Sequence, residues 1–267
     1  MLRDVAFGPD PGRCPLPGTG DPEERWLRAV AYGGQGRYAR ARAELARAAS
    51  PGVSPALASL AASTRASLLR QLGSHAVASG YDGAALALVG RSRSADPADD
   101  GLLHEARCDA LTGLAADALG CGRLTAAHRL LSRCRDYLSE VDDAHRLWRQ
   151  HVRLDWVRAE VALASGDFGT ATARAQAAVD RSAECPSVRH RVKSALLLAA
   201  AATGRPDSDL AVQTAERVLA DSCEHGLLPL QWAAAMLLDG IRPSAAVREV
   251  RDECARTIVQ RGGRFTI

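Results

Sequence analysis

The 267-residue chain has no asparagine, one lysine (Lys193) and only three isoleucines. All three amino acids have AT-rich codons, so their scarcity indicates a GC-rich genome of the actinobacterial type. The many arginines follow from the same bias and are not by themselves a sign of nucleic-acid binding. The formal net charge is only +3 and the two signs are interspersed, whereas a phosphate-binding surface usually has a more basic balance. Composition therefore argues against nucleic acid as a partner.

Aromatic residues make up only 4% of the chain, although 47% of it is apolar. Small and aliphatic side chains, alanine above all, must then fill most of the core. No segment alternates apolar and polar residues in the way of a half-buried strand, whereas apolar residues recur at helical spacing beyond residue 21. These patterns predict an all-α protein with closely packed helices.

The chain lacks a signal-peptide core at its start, and no apolar run is long enough to cross a bilayer. It has seven cysteines, an odd number, without a C-x-x-C pair. Such cysteines are typical of buried thiols in a reducing compartment. We therefore expect a cytoplasmic protein that does not bind a membrane. The pairs Cys223/His225 and His128/Cys134 lack metal-ligand spacing, so we expect neither a metal nor another cofactor.

Catalytic signatures are missing too: there is no G-x-S-x-G, no H-E-x-x-H, no P-loop and no dinucleotide-binding glycine pattern. The glycine-rich segment 33–36 follows a predicted helix rather than a strand, so it is interpreted as a helix end and turn. We therefore expect a protein that is not an enzyme.

A repeat is visible in two stretches that align without gaps. Trp26 and Trp156 each lie ten residues before a glycine. In both stretches an aromatic residue follows that glycine by two positions and an alanine follows it by five. Weaker copies place the turn glycines at 36, 80, 122, 166 and 204. Each unit is interpreted as helix, tight turn, helix, with a first helix at 54–79 before Gly80 and another at 142–165 before Gly166. The aromatics after the glycines, among them Tyr81 and Phe168, are expected in the core.

This pattern resembles tetratricopeptide repeats, which pair tryptophan and Leu-Gly in the first helix with a Gly-x-aromatic turn. The repeats here are longer than the family's period of about 34 residues, and they are also similar to the helical arrays of large bacterial transcription regulators. The resemblance implies a right-handed α-solenoid of TPR-like helix-turn-helix repeats. It further implies a non-catalytic interaction scaffold that binds a peptide or protein on its concave surface.

Three regions are expected. Residues 1–21 form a flexible Pro/Gly-rich arm that includes an exposed Cys14, since proline and glycine interrupt any helix there. Residues 22–242 form the repeat array. Residues 243–267 form an amphipathic capping helix, at 244–261, followed by a tail.

Basic residues recur every three or four positions in 142–160, next to Trp156, and a second basic group spans 189–193. By resemblance to peptide-binding members of the family, these groups are candidates for clamping an acidic peptide, because guanidinium groups bind carboxylates bidentately. The candidate partner-binding residues are Arg146, Arg149, Arg153, Trp156, Glu160 and Arg191.

Other interpretations remain open. The basic groups are also typical of a solvated helix face in an arginine-rich protein, and Trp26 and Trp156 are more typical of repeat core than of a ligand platform. The protein is alternatively a helical regulatory module of a transcription regulator that contacts nucleic acid. Self-association through the end repeats, giving a homo-oligomer, is a further alternative.

Overall fold

Thirteen α-helices and no strand make up the described part of this computed structural model, which covers residues 1–48, 52–90, 97–141 and 145–266, without the side chains of 97–100. In chain order they are α1 (Leu2–Phe7), α2 (Pro22–Gly34), α3 (Tyr38–Ala48), α4 (Pro55–Arg70), α5 (His75–Val89), α6 (Pro97–Gly120), α7 (Leu124–Glu140), α8 (Trp148–Ala164), α9 (Phe168–Ala183), α10 (Val188–Ala202), α11 (Asp209–Glu224), α12 (Leu228–Ile241) and α13 (Ala245–Gln260). The all-α expectation is confirmed for these residues.

Local signals start several of these helices. The Asp21 carboxylate accepts a hydrogen bond from the Glu24 N–H at 2.8 Å, and Pro22 occupies the first helical position of α2. The Asp167 carboxylate accepts from the Thr170 N–H at 2.9 Å at the start of α9. Such caps satisfy N–H groups that have no partner within the helix.

The turn glycines are confirmed at four of the five expected positions. Gly36, Gly122 and Gly166 have φ values of +69°, +71° and +73°, a conformation that favours glycine. Gly204 lies in the connection between α10 and α11. The segment 33–36 ends α2 and forms the turn into α3, as its sequence predicts.

The turn expected at Gly80 is wrong, because that residue lies inside α5. The turn between α4 and α5 is instead made by Gly73, with φ +86°. Gly80 is followed directly by Tyr81, one position earlier than the aromatic of the repeat pattern, and the alanine-rich sequence around it continues the helix. The sequence pattern also predicts a helix over 82–93, and its last residues, 91–93, lie outside the described residues, as do residues 142–144 of the helix predicted over 142–165. The described part of 142–165 becomes helical at Trp148 after a turn.

The helices pack in two layers. Each helix packs against its neighbours in the chain. The even-numbered helices from α2 to α12 also contact one another in succession, and we call them the inner layer. In the described residues, α3, α5, α7, α9 and α11 have no comparable contacts among themselves and form an outer layer. Fully buried alanines such as Ala29, Ala41 and Ala159 let the layers approach closely.

The aromatic residues of the repeat divide between core and surface. Trp26 is 1% exposed and donates a hydrogen bond to the Thr64 hydroxyl at 2.9 Å. Trp156 is buried as well. The expectation that Tyr81 and Phe168 are core residues is wrong: they are 38% and 40% exposed, because each side chain lies on the solvent side of an outer helix.

The C-terminal segment returns to the first helix pair. The expected amphipathic helix is present as α13, with Cys254 and Ile258 buried against the protein. Beyond it, the Ala39 N–H donates to the Arg261 carbonyl oxygen at 2.9 Å, and the Thr266 N–H donates to the Leu72 carbonyl oxygen at 2.8 Å. The tail therefore joins the last helix to α3 and to the end of α4.

Residues 1–21 are not the free arm that their proline and glycine content suggests. Residues 2–7 form α1, which packs on α2 and α10, and Leu16 is 7% exposed. Cys14 is exposed, as expected. The physical reason is tertiary: six residues are too few for a stable isolated helix, and burial of their apolar side chains supplies the missing stability.

Candidate functional site

The N-terminal helix lies against the inner layer with one apolar side. Leu2, Val5, Ala6 and Phe7 are all less than 9% exposed. They recur at helical spacing, so a single turn and a half presents them together. The opposite side is polar: Arg3 pairs with Glu23 at 3.1 Å in an exposed contact. The inner layer therefore holds a short amphipathic helix supplied by the chain itself.

Phe7, the aromatic residue of α1, is surrounded by aromatic and basic side chains of the inner layer. Its ring centroid lies 5.7 Å from that of Trp26 and 6.3 Å from that of His190. The guanidinium carbons of Arg149 and Arg189 lie 4.8 Å and 5.9 Å from the Phe7 centroid. Such geometry combines apolar burial with attraction of cations to the ring face. We call Trp26, Arg149, Arg189 and His190 the Phe7 site.

The chain that follows α1 is held by hydrogen bonds to its backbone. The Val188 N–H, at the start of α10, donates to the Gly8 carbonyl oxygen at 3.2 Å. The buried Gln35 side chain donates to the carbonyl oxygens of Pro11 and Arg13 at 2.9 Å and 3.0 Å. These hydrogen bonds are accepted by backbone carbonyl oxygens, so they do not depend on the side chains of residues 8–13. We call the surface that holds residues 8–17 the backbone track.

The backbone track continues at α2. The Arg28 guanidinium donates to the carbonyl oxygens of Leu16 and Pro17 and pairs with Glu44 at 2.9 Å. Residues 8–17 thus pass from α10 back to α2 along an almost continuous series of polar contacts.

A buried ionic network lies beside the Phe7 site. Arg149 donates to Glu105 at 3.0 Å and to Asp109 at 2.7 Å, and Arg153 lies 3.2 Å from the same Asp109. Burial alone would lower the pKa of Arg149, but the two carboxylates outweigh it and raise that pKa. The charge of Arg149 is therefore satisfied within the protein, and removing it would leave buried carboxylates unpaired.

Arg189 has no such compensation. Its guanidinium donates to the Val30 carbonyl oxygen at 3.2 Å, and within the described residues it forms no ion pair. Burial, followed by the repulsion of Arg149 and Arg153, lowers the pKa of Arg189 to about 10. Arg189 thus brings an unneutralised positive charge to the Phe7 site.

His190 forms the aromatic floor of the site. Its ring stacks on Trp156 with centroids 5.1 Å apart and meets Trp148 edge-on at 4.9 Å. Burial, then the neighbouring Arg189, Arg149, Arg153 and Lys193, hold the pKa of His190 well below its usual range. The imidazole is therefore neutral at pH 7, and its hydrogen bond to the Ser187 hydroxyl at 2.7 Å orients it.

The six residues predicted for partner binding have different surroundings. Arg149, Arg153 and Trp156 come together around α6, α8 and α10, but Arg149 and Trp156 are buried, and Trp156 donates to Ser194 at 2.8 Å. Glu160 pairs with Lys193 at 3.1 Å beside them.

The other two lie apart from this group. Arg191 donates to the Cys185 carbonyl oxygen at 2.7 Å at the start of α10. Arg146 lies before α8, so it is not part of the helical stripe, and its guanidinium packs against Gly101. The basic residues therefore do not form one exposed stripe along a helix face.

Sequence reasoning missed Phe7, which fills the site, and Gln35, which binds the backbone after α1; it placed Arg189 in the basic group 189–193 but not among the six candidate residues. Leu2, Val5 and Phe7 did carry a weak signal, an amphipathic spacing just before Gly8, which the nearby prolines obscured. In the described residues, no group of three or more His, Cys, Asp or Glu side chains is placed to hold a metal ion. None of the described helices combines the length and apolar character that a bilayer crossing requires.

No protein-family model matches this sequence, and no curated protein matches it at a significant level.

Proposed function

We propose that this protein is a non-catalytic, cytoplasmic interaction scaffold, built as a right-handed TPR-like α-solenoid, whose inner layer binds an amphipathic helical segment of a partner protein. The single observation that supports this most is the seating of residues 1–17 on the inner layer, with Phe7 enclosed by Trp26, Arg149, Arg189 and His190. In this proposal the chain's own segment holds the place of the partner and is displaced by it.

The chemistry of the Phe7 site indicates what the partner presents. An aromatic side chain fills the site, and apolar residues one, two and five positions before it pack beside it, as Ala6, Val5 and Leu2 do in α1. An acidic residue near that aromatic would neutralise Arg189, which has no carboxylate partner in the described residues. A partner helix with an acidic residue beside its aromatic would therefore fit the Phe7 site better than α1 does. The acidic residue of α1, Asp4, is 61% exposed and pairs with the N-terminal amine.

Competition by the chain's own segment gives the proposal a direct test. A synthetic peptide of residues 1–17 is titrated into the full-length protein and into its Phe7→Ala variant, and binding is followed by calorimetry. A tethered segment has an effective concentration in the millimolar range, so the parent protein should bind the peptide at least tenfold more weakly than the variant does. Phe168→Ala removes an equally large ring from an outer helix and should behave like the parent.

A second peptide with Phe7→Ala controls for non-specific contact and should bind neither protein. Circular dichroism verifies that both variants keep their helices. Equal peptide affinity in the parent and in a folded Phe7→Ala variant, or no binding to that variant, would refute the proposed use of the inner layer.

A further inference from the structure

A second candidate site lies where the C-terminal tail crosses α3 and α4. A cavity of about 390 Å³ opens there, a size typical of small-ligand sites. Its polar lining consists of three guanidinium groups, from Arg42, Arg65 and Arg264, and two hydroxyls, from Ser74 and Thr266. Leucines of α4 and the ring of Phe265 form an apolar wall.

The tail that closes this cavity is held in place by backbone geometry. Gly262 has φ +87°, and an added Cβ there would lie 2.8 Å from the Ala39 Cβ and 3.2 Å from the Arg42 guanidinium. The Phe265 ring packs on Trp232 with centroids 4.8 Å apart. Arg264 lies between these two anchors, so its guanidinium is brought to the cavity from a constrained segment rather than from a free end.

Among the described residues, the three arginines have no compensating charge: no carboxylate of this part of the chain lines the cavity, and none of the three forms an ion pair there. Burial, followed by the repulsion of Arg65 and then of Arg264, lowers the pKa of Arg42. The Nε of Arg65 is buried without a hydrogen-bond partner, and its guanidinium lies over the Tyr81 ring, 5.5 Å from the centroid. Elsewhere in this protein, buried arginines such as Arg70 and Arg149 are paired with two carboxylates each.

Three like charges gathered around one cavity repel one another, and a bound anion would relieve that repulsion. We infer that the cavity binds a small phosphate ester, with its phosphate on Arg42, Arg65 and Arg264 and its organic group on the apolar wall. Guanidinium groups donate paired hydrogen bonds to phosphate oxygens, and a phosphate monoester carries close to two negative charges. A single carboxylate would leave more of the positive charge uncompensated.

The ligand would also act on the fold, because it touches both ends of the array. Arg42 and Arg65 belong to the first helices, whereas Arg264 belongs to the tail. Ser74 and Thr266, whose hydroxyls are hydrogen-bonded to each other, make the same connection. Ligand binding would therefore stabilise the contact of the tail with α3 and α4.

Calorimetric titration of the full-length protein with phenyl phosphate and with pyrophosphate, at low ionic strength, tests this inference. Both probes should bind with one-to-one stoichiometry. Arg42→Gln and Arg264→Gln should each weaken binding of both probes by at least tenfold. Arg205→Gln removes the same charge from the exposed α10–α11 connection and should leave the affinity unchanged. Since Arg264 is exposed at the surface, its variant keeps the test valid if Arg42→Gln fails to fold.

Absence of binding of both probes to the folded parent protein would overturn the inference, as would equal weakening by Arg205→Gln and Arg264→Gln. A phosphoserine peptide that binds more tightly than phenyl phosphate would overturn the assignment to a small ligand, because it would indicate a protein partner at this surface.

Discussion

At the scale of single residues, two buried carboxylates share one guanidinium. Arg70, at the end of α4, pairs with Asp82 at 3.0 Å and with Asp117, and both carboxylates are fully buried. One positive charge cannot compensate two negative charges in a low-dielectric interior. Burial and then the neighbouring Asp117, opposed by Arg70, raise the pKa of Asp82 to about 7.

This raised pKa predicts a pH dependence of stability. The folded state holds a proton on Asp82 that the unfolded chain has released above about pH 4, so the contribution of Asp82 to stability is lost as pH rises towards 7. Asp82→Asn should remove that loss. Between pH 5 and pH 8, the parent should lose about 2 kcal/mol of unfolding free energy relative to this variant. Urea unfolding at the two pH values measures the difference.

Asp136→Asn is the matched control, since Asp136 is 60% exposed, and its pH profile should parallel that of the parent. A difference between parent and Asp82→Asn that stays constant from pH 5 to pH 8 would show that Asp82 is ionised throughout.

Residue spacing predicted part of the candidate site but not its pairing. Steps of three and four residues placed Arg149, Arg153 and Trp156 on neighbouring turns of α8, and the structure brings them together. The carboxylates that neutralise the two arginines, Glu105 and Asp109, lie about forty positions earlier on α6. That contact depends on how α6 packs against α8, and helical spacing within one segment contains no information about it.

At the scale of helices, periodicity predicted most of the elements, because long amphipathic segments with glycine turns carry a strong local signal. It failed where tertiary contacts decide. α1 has six residues and is stabilised by its contacts with α2 and α10. The α4–α5 turn was placed at Gly80 because the repeat pattern coincides there with a Gly-Tyr pair, whereas Gly73 has the turn conformation.

The position of this turn can be tested with two glycine substitutions. Gly80 lies in a helix with nothing within 4 Å of an added Cβ, so Gly80→Ala should stabilise the protein by about 0.5–1 kcal/mol. Gly73→Ala should destabilise it by about 1 kcal/mol or more, because its φ is +86° and an added Cβ would lie 3.0 Å from the Thr266 carbonyl oxygen. Thermal and urea unfolding measure both. If the effects had the opposite order, the turn would lie at Gly80.

At the scale of the whole molecule, both termini return to the helical array. The tail after α13 pairs with the first helices, and residues 1–17 cross from α2 to α10 and back. Gly12 lies against the His225 carbonyl oxygen, where an added Cβ would be only 2.8 Å away. Neither return could be predicted from the sequence, since the hydrogen bonds of Val188 to Gly8 and of Thr266 to Leu72 join positions more than a hundred residues apart. The same returns cover the Phe7 site and enclose the arginine cavity.

The central claim is that residues 1–17 occupy the inner layer as an internal ligand, and amide exchange of Val188 tests it most directly. This N–H lies in the first turn of α10, where no helical carbonyl accepts it, and its partner is the Gly8 carbonyl oxygen. Hydrogen exchange measured by NMR on the full-length protein should find Val188 protected. Phe7→Ala should accelerate its exchange at least tenfold, while Thr170, capped by Asp167 in α9, stays unchanged. Rapid Val188 exchange in the parent protein, or exchange unaffected by Phe7→Ala, would contradict the account.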